Sequence, residues 1–286
     1  MANRYLIILY LTCLFLINTA EAQNIRLRFL ALNVVDKMAT ARWYQNTLGF
    51  KWENGDSNAV YVSDQGGNFM LKFFSDPAQK NNYADISFDA CHMALESDSI
   101  RYWENRILAA GGTYDTPPRH NMIGDAVIDM RDPQGIMIQL IYRVKPYYNH
   151  TSGSLRFEHL ALNMTQQKDA ALWYVEFMGL TVAWSKDPAN GIRKVSNYRI
   201  PYVGDPGRNM AMEFLSTDSV RQYTRLGFGV SYIGFEVKDA STLAGKMIYG
   251  GAEQIGATEK NKQDGPLIRL RCPWGNMLEL TEKAVN

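Results

Sequence analysis

Histidine is the residue type in this chain with the widest chemical use, and the chain has four: His92, His120, His150 and His159. An imidazole changes its charge near neutral pH and is the commonest metal ligand among side chains. His92 and His120 could form a polar cluster, but the polar, proline-rich surroundings of His120 favour surface or loop positions for both. His159 differs, because it lies in a segment where apolar and polar residues alternate as in a strand.

Several other kinds of chemistry have no support in the sequence. It contains no Gly-x-Ser-x-Gly nucleophile elbow, which argues against a serine hydrolase. It also lacks a glycine-rich phosphate loop with its lysine, and Asp205-Pro-Gly-Arg208 is typical of a turn. Lys+Arg (30) and Asp+Glu (29) balance to a net charge of +1, so the basic surplus expected of a nucleic-acid-binding protein is missing. With 46% hydrophobic residues, the composition is that of a folded chain rather than a disordered one.

Residues 1–22 have the three-part pattern of a secretory signal peptide. Arg4 precedes the apolar run Tyr5–Ile17, and a small-residue Ala-x-Ala site ends at Ala22. The run is shorter than the ~20 residues that a membrane-spanning helix needs, although an uncleaved membrane anchor is the alternative. We therefore expect cleavage near Ala22 and a secreted or periplasmic mature protein that is not held in a membrane.

The cysteines do not indicate a disulfide-based fold. Cys13 leaves with the signal peptide, so that only Cys91 and Cys272 remain in the mature protein. Two thiols are too few for a disulfide scaffold, and the sequence does not show whether they meet. We interpret them as buried free cysteines, which behave as small hydrophobic residues.

An internal repeat organises the mature chain. Phe29-Leu-Ala-Leu-Asn33 returns as His159-Leu-Ala-Leu-Asn163, and Asp132-Pro-Gln-Gly135 is similar to Cys272-Pro-Trp-Gly275. The pairs in between keep the same spacing: Trp43-Tyr44 with Trp173-Tyr174, and Gly49 with Gly179. Matched anchors in the same order indicate homologous domains. We place them at residues 25–145 and 155–284, with a linker at 146–154.

Each predicted domain divides into smaller units. In the second domain, alternation predicts a strand over Arg156–Met164, and an apolar face at helical spacing predicts a helix over Asp169–Met178. Strands are predicted over 181–184, 194–200 and 209–215. The same order restarts with a strand over 230–237, a helix over 240–249 and strands over 267–271 and 277–281. The unit is therefore βαβββ, used twice in each domain. Most of the Trp and Tyr residues at helical spacing are expected to form core.

These motifs resemble those of the vicinal oxygen chelate superfamily. The resemblance rests on His159-Leu-Ala-Leu-Asn163, on Trp173-Tyr174 with Gly179, and on Pro273-Trp-Gly-Asn-Met-Leu-Glu-Leu280, and it covers nearly all of the mature chain. The superfamily includes glyoxalase I, methylmalonyl-CoA epimerase, fosfomycin and bleomycin resistance proteins, and extradiol dioxygenases. It implies an α+β fold of two tandem domains, in which paired βαβββ modules form a cupped mixed sheet. It also implies metal ligands on the first and last strands of each module.

Carried over by position, the resemblance implies a metal site in the second domain. His159, Glu213 and Glu279 would hold the ion, and Tyr232 would be a weak ligand or hydrogen-bond donor. One imidazole and two carboxylates suit a divalent ion such as Fe, Mn, Ni or Zn. The ion would polarise a substrate carbonyl, and Glu279 or Glu213 would remove a proton from the adjacent carbon.

The equivalent positions of the first domain are Phe29, Lys72, Asp85 and Gln139. A phenyl ring does not bind a metal ion, and an ammonium group repels one. The first domain is therefore expected to be free of metal. Whether modules pair within a domain or exchange between the halves stays open, and exchange would place His159 and Glu213 opposite Asp85 and Gln139.

The favoured function is that of an exported, glyoxalase-like lyase or isomerase acting on a small molecule, as a monomer or homodimer. The alternative is a non-catalytic protein that sequesters a small aromatic or hydrophobic ligand. Extradiol dioxygenase chemistry is disfavoured, because it needs two histidines and one carboxylate, whereas His159 is the only histidine of the second domain. Export argues against a glutathione adduct as the substrate.

Overall fold

A computed structural model describes residues 25–53, 55, 58–75, 92–121, 124–144, 155–164, 166–182, 201–207, 209–216, 229–261 and 265–282. The predicted signal peptide, the linker and the strand over 194–200 lie outside these residues, as do Asp85 and Cys91. The domain boundaries at 25–145 and 155–284 therefore stay predictions. None of the described helices combines the length and apolarity needed to cross a lipid bilayer.

The first half of the chain contains two βαβββ modules. The first module consists of β1 (Arg26–Asn33), α1 (Lys37–Leu48), β2 (Lys51–Glu53), β3 (Ala59–Ser63) and β4 (Met70–Phe74). The second module consists of β5 (His92–Glu96), α2 (Ile100–Ala109), β6 (Thr113–His120), β7 (Ala126–Arg131) and β8 (Met137–Tyr142). Each begins with a buried strand followed directly by its helix, as the repeat predicted.

The second half repeats this order. The third module consists of β9 (Arg156–Met164), α3 (Gln167–Met178), β10 (Thr181–Val182), β11 (Tyr202–Gly204) and β12 (Ala211–Ser216). The fourth consists of β13 (Gly229–Val237), α4 (Ala240–Tyr249), β14 (Glu253–Gln254), β15 (Glu259–Lys260), β16 (Pro266–Arg271) and β17 (Met277–Glu282). The predictions for β9 and α4 match the observed bounds, and α3 begins at Gln167, before the predicted Asp169.

Gly179 ends α3 as the repeat predicted. Its φ of 77° lies in the left-handed region, and its backbone N–H donates to carbonyls of the last helical turn, at Tyr174 and Val175. Gly49 ends α1 in the same way, with a φ of 69°. A residue with a Cβ is strained in this conformation, so the matched glycines fix where the chain leaves each helix.

The modules pair across the two halves of the chain. The second and third modules form an eight-stranded sheet in the order β10-β11-β12-β9-β5-β8-β7-β6, which we call the inner sheet. The first and fourth modules form a nine-stranded sheet in which β13 lies beside β1, which we call the outer sheet. The α+β fold of paired modules is thus confirmed, and the open question of pairing is answered in favour of exchange.

Within each sheet, the central strands follow one rule. The first strand of each module lies parallel to the last strand of the same module, as in β9 with β12 and β5 with β8. The first strands of two modules then meet antiparallel, as in β5 with β9 and β1 with β13. The four strands that the resemblance named as ligand-bearing are therefore neighbours at the centre of each sheet.

The helices hold the two modules of each half together. The Trp43 indole on α1 donates to the backbone oxygen of Ala110 (2.9 Å), at the end of α2. In the second half, Trp173 on α3 donates to the backbone oxygen of Gly250 (2.6 Å), at the end of α4. The helices therefore join the modules within a half, whereas the sheets join modules across the two halves. Tyr44 and Tyr174 are fully buried, as predicted for aromatic residues at helical spacing, whereas Tyr102 and Tyr249 are exposed.

The matched turns between the last two strands of the second and fourth modules contain different polar groups. The Tyr44 hydroxyl donates to the carboxylate of Asp132 (3.1 Å), whereas Tyr174 meets the thiol of Cys272 (3.8 Å). Cys272 is buried, as expected. Burial raises the pKa of Asp132 to about 6, although backbone N–H groups of Ile136 and Gln134 and the Tyr44 hydroxyl oppose the shift.

This shift predicts a pH effect on stability. Asp132 keeps its proton up to about pH 6 in the folded protein, whereas in the unfolded chain it loses the proton near pH 3.8. Raising the pH through this window therefore favours the unfolded chain. The free energy of unfolding falls by on the order of 3 kcal/mol between about pH 3.8 and pH 6. We expect Asp132→Asn to remove this loss, measured by urea unfolding at several pH values. The exposed control Asp169→Asn should behave like the wild type, and identical profiles for Asp132→Asn and wild type would refute the prediction.

Candidate metal centre

The inner sheet brings polar side chains from its four central strands onto one face. Ala161 of β9 lies between His92 of β5 and Glu213 of β12 in one cross-strand row. Ala94 lies between His159 and Gln139 in the next row of the same face. Because alanine has no atoms beyond Cβ, the longer side chains on either side can meet above it.

Three of these side chains meet. The Nε2 atoms of His92 and His159 are 3.1 Å apart. Glu213 Oε2 lies 3.1 Å from His159 Nε2 and 3.5 Å from His92 Nε2. All three residues are buried, and they form a group of side chains able to hold one metal ion.

A chain of buried charges fixes the orientation of His159. Its Nδ1 contacts the carboxylate of Glu158, which in turn accepts a hydrogen bond from Arg143 (2.8 Å). The other end of the Arg143 guanidinium donates to Asp125 (2.7 Å). With Nδ1–H directed at a carboxylate, Nε2 is the atom left to act as a ligand, which is the usual arrangement behind metal-bound histidines.

The ligand-bearing groups have strongly altered pKa values. Burial, and then the neighbouring His159, lowers the pKa of His92 to about 4. Burial also opposes a charge on His159, but the carboxylates of Glu158 and Glu213 outweigh it and raise its pKa to about 9. The pKa of Glu213 falls to about 2, because His159 and His92 outweigh the effect of burial. The two imidazoles lie beside one ionised carboxylate, and protonation of one disfavours protonation of the other. A divalent ion held by all three side chains would supply positive charge in place of the proton.

The polar side chains next to this cluster are either neutral or already hydrogen-bonded to other side chains. The Tyr202 hydroxyl donates to Glu213 Oε1 (2.5 Å), so it holds the second oxygen of that carboxylate. Gln139 donates through Nε2 to Asp129 (2.9 Å), which also accepts from Thr116 and Arg119. The amide oxygen of Gln139 therefore stands where the resemblance would place a second carboxylate.

The outer sheet has the same pattern with different residues. Ala31 lies between Tyr232 and Lys72, and Gly234 lies between Phe29 and Glu279. Glu279 is 1% exposed and forms ion pairs with Lys72 (3.4 Å) and Arg269 (2.9 Å). Its carboxylate is therefore already neutralised by two cationic side chains.

The predicted ligand set His159, Glu213 and Glu279 is thus not assembled as one site. His159 and Glu213 meet in the inner sheet, whereas Glu279 and Tyr232 lie in the outer sheet, because the fourth module pairs with the first. The expected metal-free positions are also divided: Phe29 and Lys72 belong to the outer sheet, and Gln139 belongs to the inner sheet.

The surface or loop position expected for His92 is wrong, since this residue is 8% exposed and faces His159. A signal for it exists in the sequence. His92-Met-Ala-Leu95 has the same His-x-Ala-Leu pattern as His159-Leu-Ala-Leu162, each at the start of a module. His120, in contrast, is exposed as predicted.

The donor atoms fit a divalent ion. Ligand atoms about 2.1 Å from an ion and at right angles to one another are about 3.0 Å apart, close to the observed separations. All three pairs are short, so His92, His159 and Glu213 would hold an ion from one side. Two imidazoles and one carboxylate on a single face suit Fe, and nitrogen with carboxylate oxygen also suits Mn, Ni or Zn.

Comparisons with known proteins agree with this architecture. Residues 26–140 match the family model of the Glyoxalase/Bleomycin resistance protein/Dioxygenase superfamily. Glyoxalase I from Zea mays is similar in structure, with a TM-score of 0.69 and 16% identity over 91% of this chain and 93% of that one. A candidate dioxygenase from Bacillus subtilis has a TM-score of 0.61 and 13% identity over 91% and 86%. A search of curated protein sequences found no match. Residues 26–140 are therefore similar to the glyoxalase/bleomycin resistance protein/dioxygenase superfamily, and the chain as a whole shares the fold of these solved structures.

Proposed function

We propose that this protein is a divalent-metal-dependent lyase or isomerase that acts on a small molecule with two adjacent oxygen atoms. One observation carries the proposal: the Nε2 atoms of His92 and His159 converge with Glu213 Oε2 on a single buried point. The carboxylate behind His159 supports it, because metal-binding histidines usually donate their second ring N–H to a carboxylate or a carbonyl.

The residues of the chain would share the chemistry as follows. A divalent ion held by His92, His159 and Glu213 would supply Lewis-acid polarisation of the substrate's oxygen, which makes an adjacent C–H acidic. Glu213 is the carboxylate closest to that point, and we assign it the proton transfer as well as the ligand role. Tyr202 donates to Glu213 Oε1 and would keep that oxygen in place while the proton moves. Gln139 is neutral and would bind a substrate hydroxyl or carbonyl without competing as a base.

A second candidate reaction is an oxygen-dependent ring cleavage. It is favoured by the ligand set itself, since two histidines and one carboxylate are typical of non-haem Fe(II) oxygenases. The sequence-based argument against it, that only one histidine lies in the second domain, no longer holds because His92 comes from the first half. We rank it second because, among the described residues, the remaining histidine, His120, is exposed and accordingly poorly placed for proton transfer.

The cellular setting is also part of the proposal. The signal-peptide pattern of residues 1–22 supports export to the periplasm or the outside of the cell. Both sheets are completed by modules of one chain, so a monomer can hold the whole metal centre and a homodimer is not required for it. The partner we propose is a small molecule.

Metal content separates the two possible ligand sets. We expect protein purified without chelators to contain a divalent ion that His92→Ala and Glu213→Ala each remove, because each variant loses one of three ligands. Glu279→Ala is the matched control and should keep the metal, since that carboxylate lies in the outer sheet. EDTA should lower the melting temperature of the wild type and of Glu279→Ala, but not that of His92→Ala or Glu213→Ala. Metal retained in His92→Ala but lost in Glu279→Ala would contradict the assignment, and a wild type without metal would favour the sequestering protein.

The buried carboxylate of Glu158 behind His159 predicts a partial loss of metal affinity when its charge is removed. Glu158→Gln should weaken metal binding by about 10- to 100-fold without abolishing it, because the amide can still contact Nδ1 but no longer carries charge. The affinity can be measured by competition with a chromophoric chelator. Glu176→Gln, on the exposed side of α3, is the control. An unchanged affinity in Glu158→Gln would show that the carboxylate has no such role.

Two assays distinguish the candidate reactions. For the lyase or isomerase, we expect the metal-loaded protein in D2O to exchange the proton next to the carbonyl in α-hydroxycarbonyl compounds, as seen by ¹H NMR under nitrogen. For the oxygenase, an Fe(II)-loaded sample should instead consume oxygen with catechols. Oxygen consumption without any proton exchange would replace the first proposal by the second.

A further inference from the structure

The outer sheet encloses a cleft with a volume of about 1050 Å³. Its floor is formed by the same central positions that carry the metal-type residues in the inner sheet, here Phe29, Lys72, Tyr232 and Glu279. The mechanism proposed above uses none of these residues. The cleft is therefore a second concave site in the same chain, with its own chemistry.

The floor of this cleft does not suit a metal ion. The Phe29 ring lies directly over Gly234, since a Cβ on that glycine would be 2.1 Å from Phe29 Cζ. The ring thus fills the place where the inner sheet has an imidazole. The Lys72 ammonium lies beside Glu279, so the remaining carboxylate is paired with a cation that repels a metal ion.

Two cationic side chains lie at the floor. Lys72 and Arg269 both pair with the buried carboxylate of Glu279, and Arg269 also pairs with Glu259 (2.7 Å), so Lys72 is the less fully paired of the two cations. An ammonium group has three N–H donors, and the contact from Lys72 to Glu279 is long, at 3.4 Å. Lys72 is 13% exposed and lines the cleft, so its remaining donors can reach a small anion inside it.

Aromatic rings surround the same ammonium group. Lys72 Nζ lies 4.9 Å from the centre of the Tyr232 ring, 5.2 Å from Phe29 and 5.8 Å from Tyr61. Phe74 stacks on Tyr232 with an interplanar angle of 18° and also lines the cleft. These rings offer flat apolar walls next to the cation.

We propose that the outer sheet is a metal-independent binding site for a small aromatic monocarboxylate. The carboxylate would bind Lys72 and Arg269, and the ring would pack against Phe74 and Tyr232. Glu236, Glu259 and Glu282 on the walls disfavour ligands with more negative charge, such as phosphate. The site is separate from the metal centre and does not depend on the function proposed for it.

Benzoate is the probe for this site, used with the purified full chain in a calorimetric titration. We expect saturable binding that EDTA leaves unchanged. Lys72→Met should weaken it by about tenfold or more, because an ionic hydrogen bond is lost. Arg269→Gln should act in the same direction and serves if Lys72→Met does not fold, as judged by circular dichroism. Lys246→Met, an exposed lysine on α4, is the matched control and should bind benzoate normally.

Ligand analogues test the two parts of the recognition. Benzamide lacks the charge and cyclohexanecarboxylate lacks the flat ring, so both should bind more weakly than benzoate. The proposal is overturned if benzoate does not bind saturably, if EDTA or His159→Ala abolishes its binding, or if folded Lys72→Met and Arg269→Gln bind it as the wild type does. Benzamide or inorganic phosphate binding as tightly as benzoate would overturn it equally. Because the metal-content measurement does not involve benzoate, failure of either proposal is recognisable by itself.

Discussion

The antiparallel contact between β5 and β9 is the interaction on which the candidate metal centre depends. It places Ala161 opposite His92 and Ala94 opposite His159, so that two histidines from different halves of the chain face the same side of one sheet. A shift of this register by one residue would turn one imidazole to the opposite face. The equivalent contact of β1 with β13 builds the outer sheet in the same way.

The buried charges of the inner sheet are costly unless each has a partner. Asp125, Arg143, Glu158 and His159 are all nearly inaccessible to water, and each contacts the next. Removing one member would leave an unpaired charge in a low-dielectric interior, which typically costs several kcal/mol. The network therefore stabilises the fold only as a complete set, and it holds His159 rigidly in one orientation.

The two sheets place different side chains at equivalent positions of one architecture. Their central positions are equivalent in register, yet one has two imidazoles and a carboxylate while the other has an aromatic ring, a lysine and a paired glutamate. The backbone fixes where side chains converge, and the residue types decide whether the space attracts a cation or an anion. Helix contacts within each half, such as Trp43 with Ala110, tie the sheets together.

The sequence by itself determined the βαβββ modules, their helix ends at Gly49 and Gly179, and the strand positions of His159 and Glu213, because periodicity and turn residues act locally. It left the partner of each module undetermined, since the edge of a module's first strand can pair with the first strand of either of two similar modules. For this reason Glu279 was assigned to the wrong neighbours and His92 was missed. Only the tertiary structure decided these points, because side chains far apart in sequence become one site through strand pairing, which no local pattern encodes.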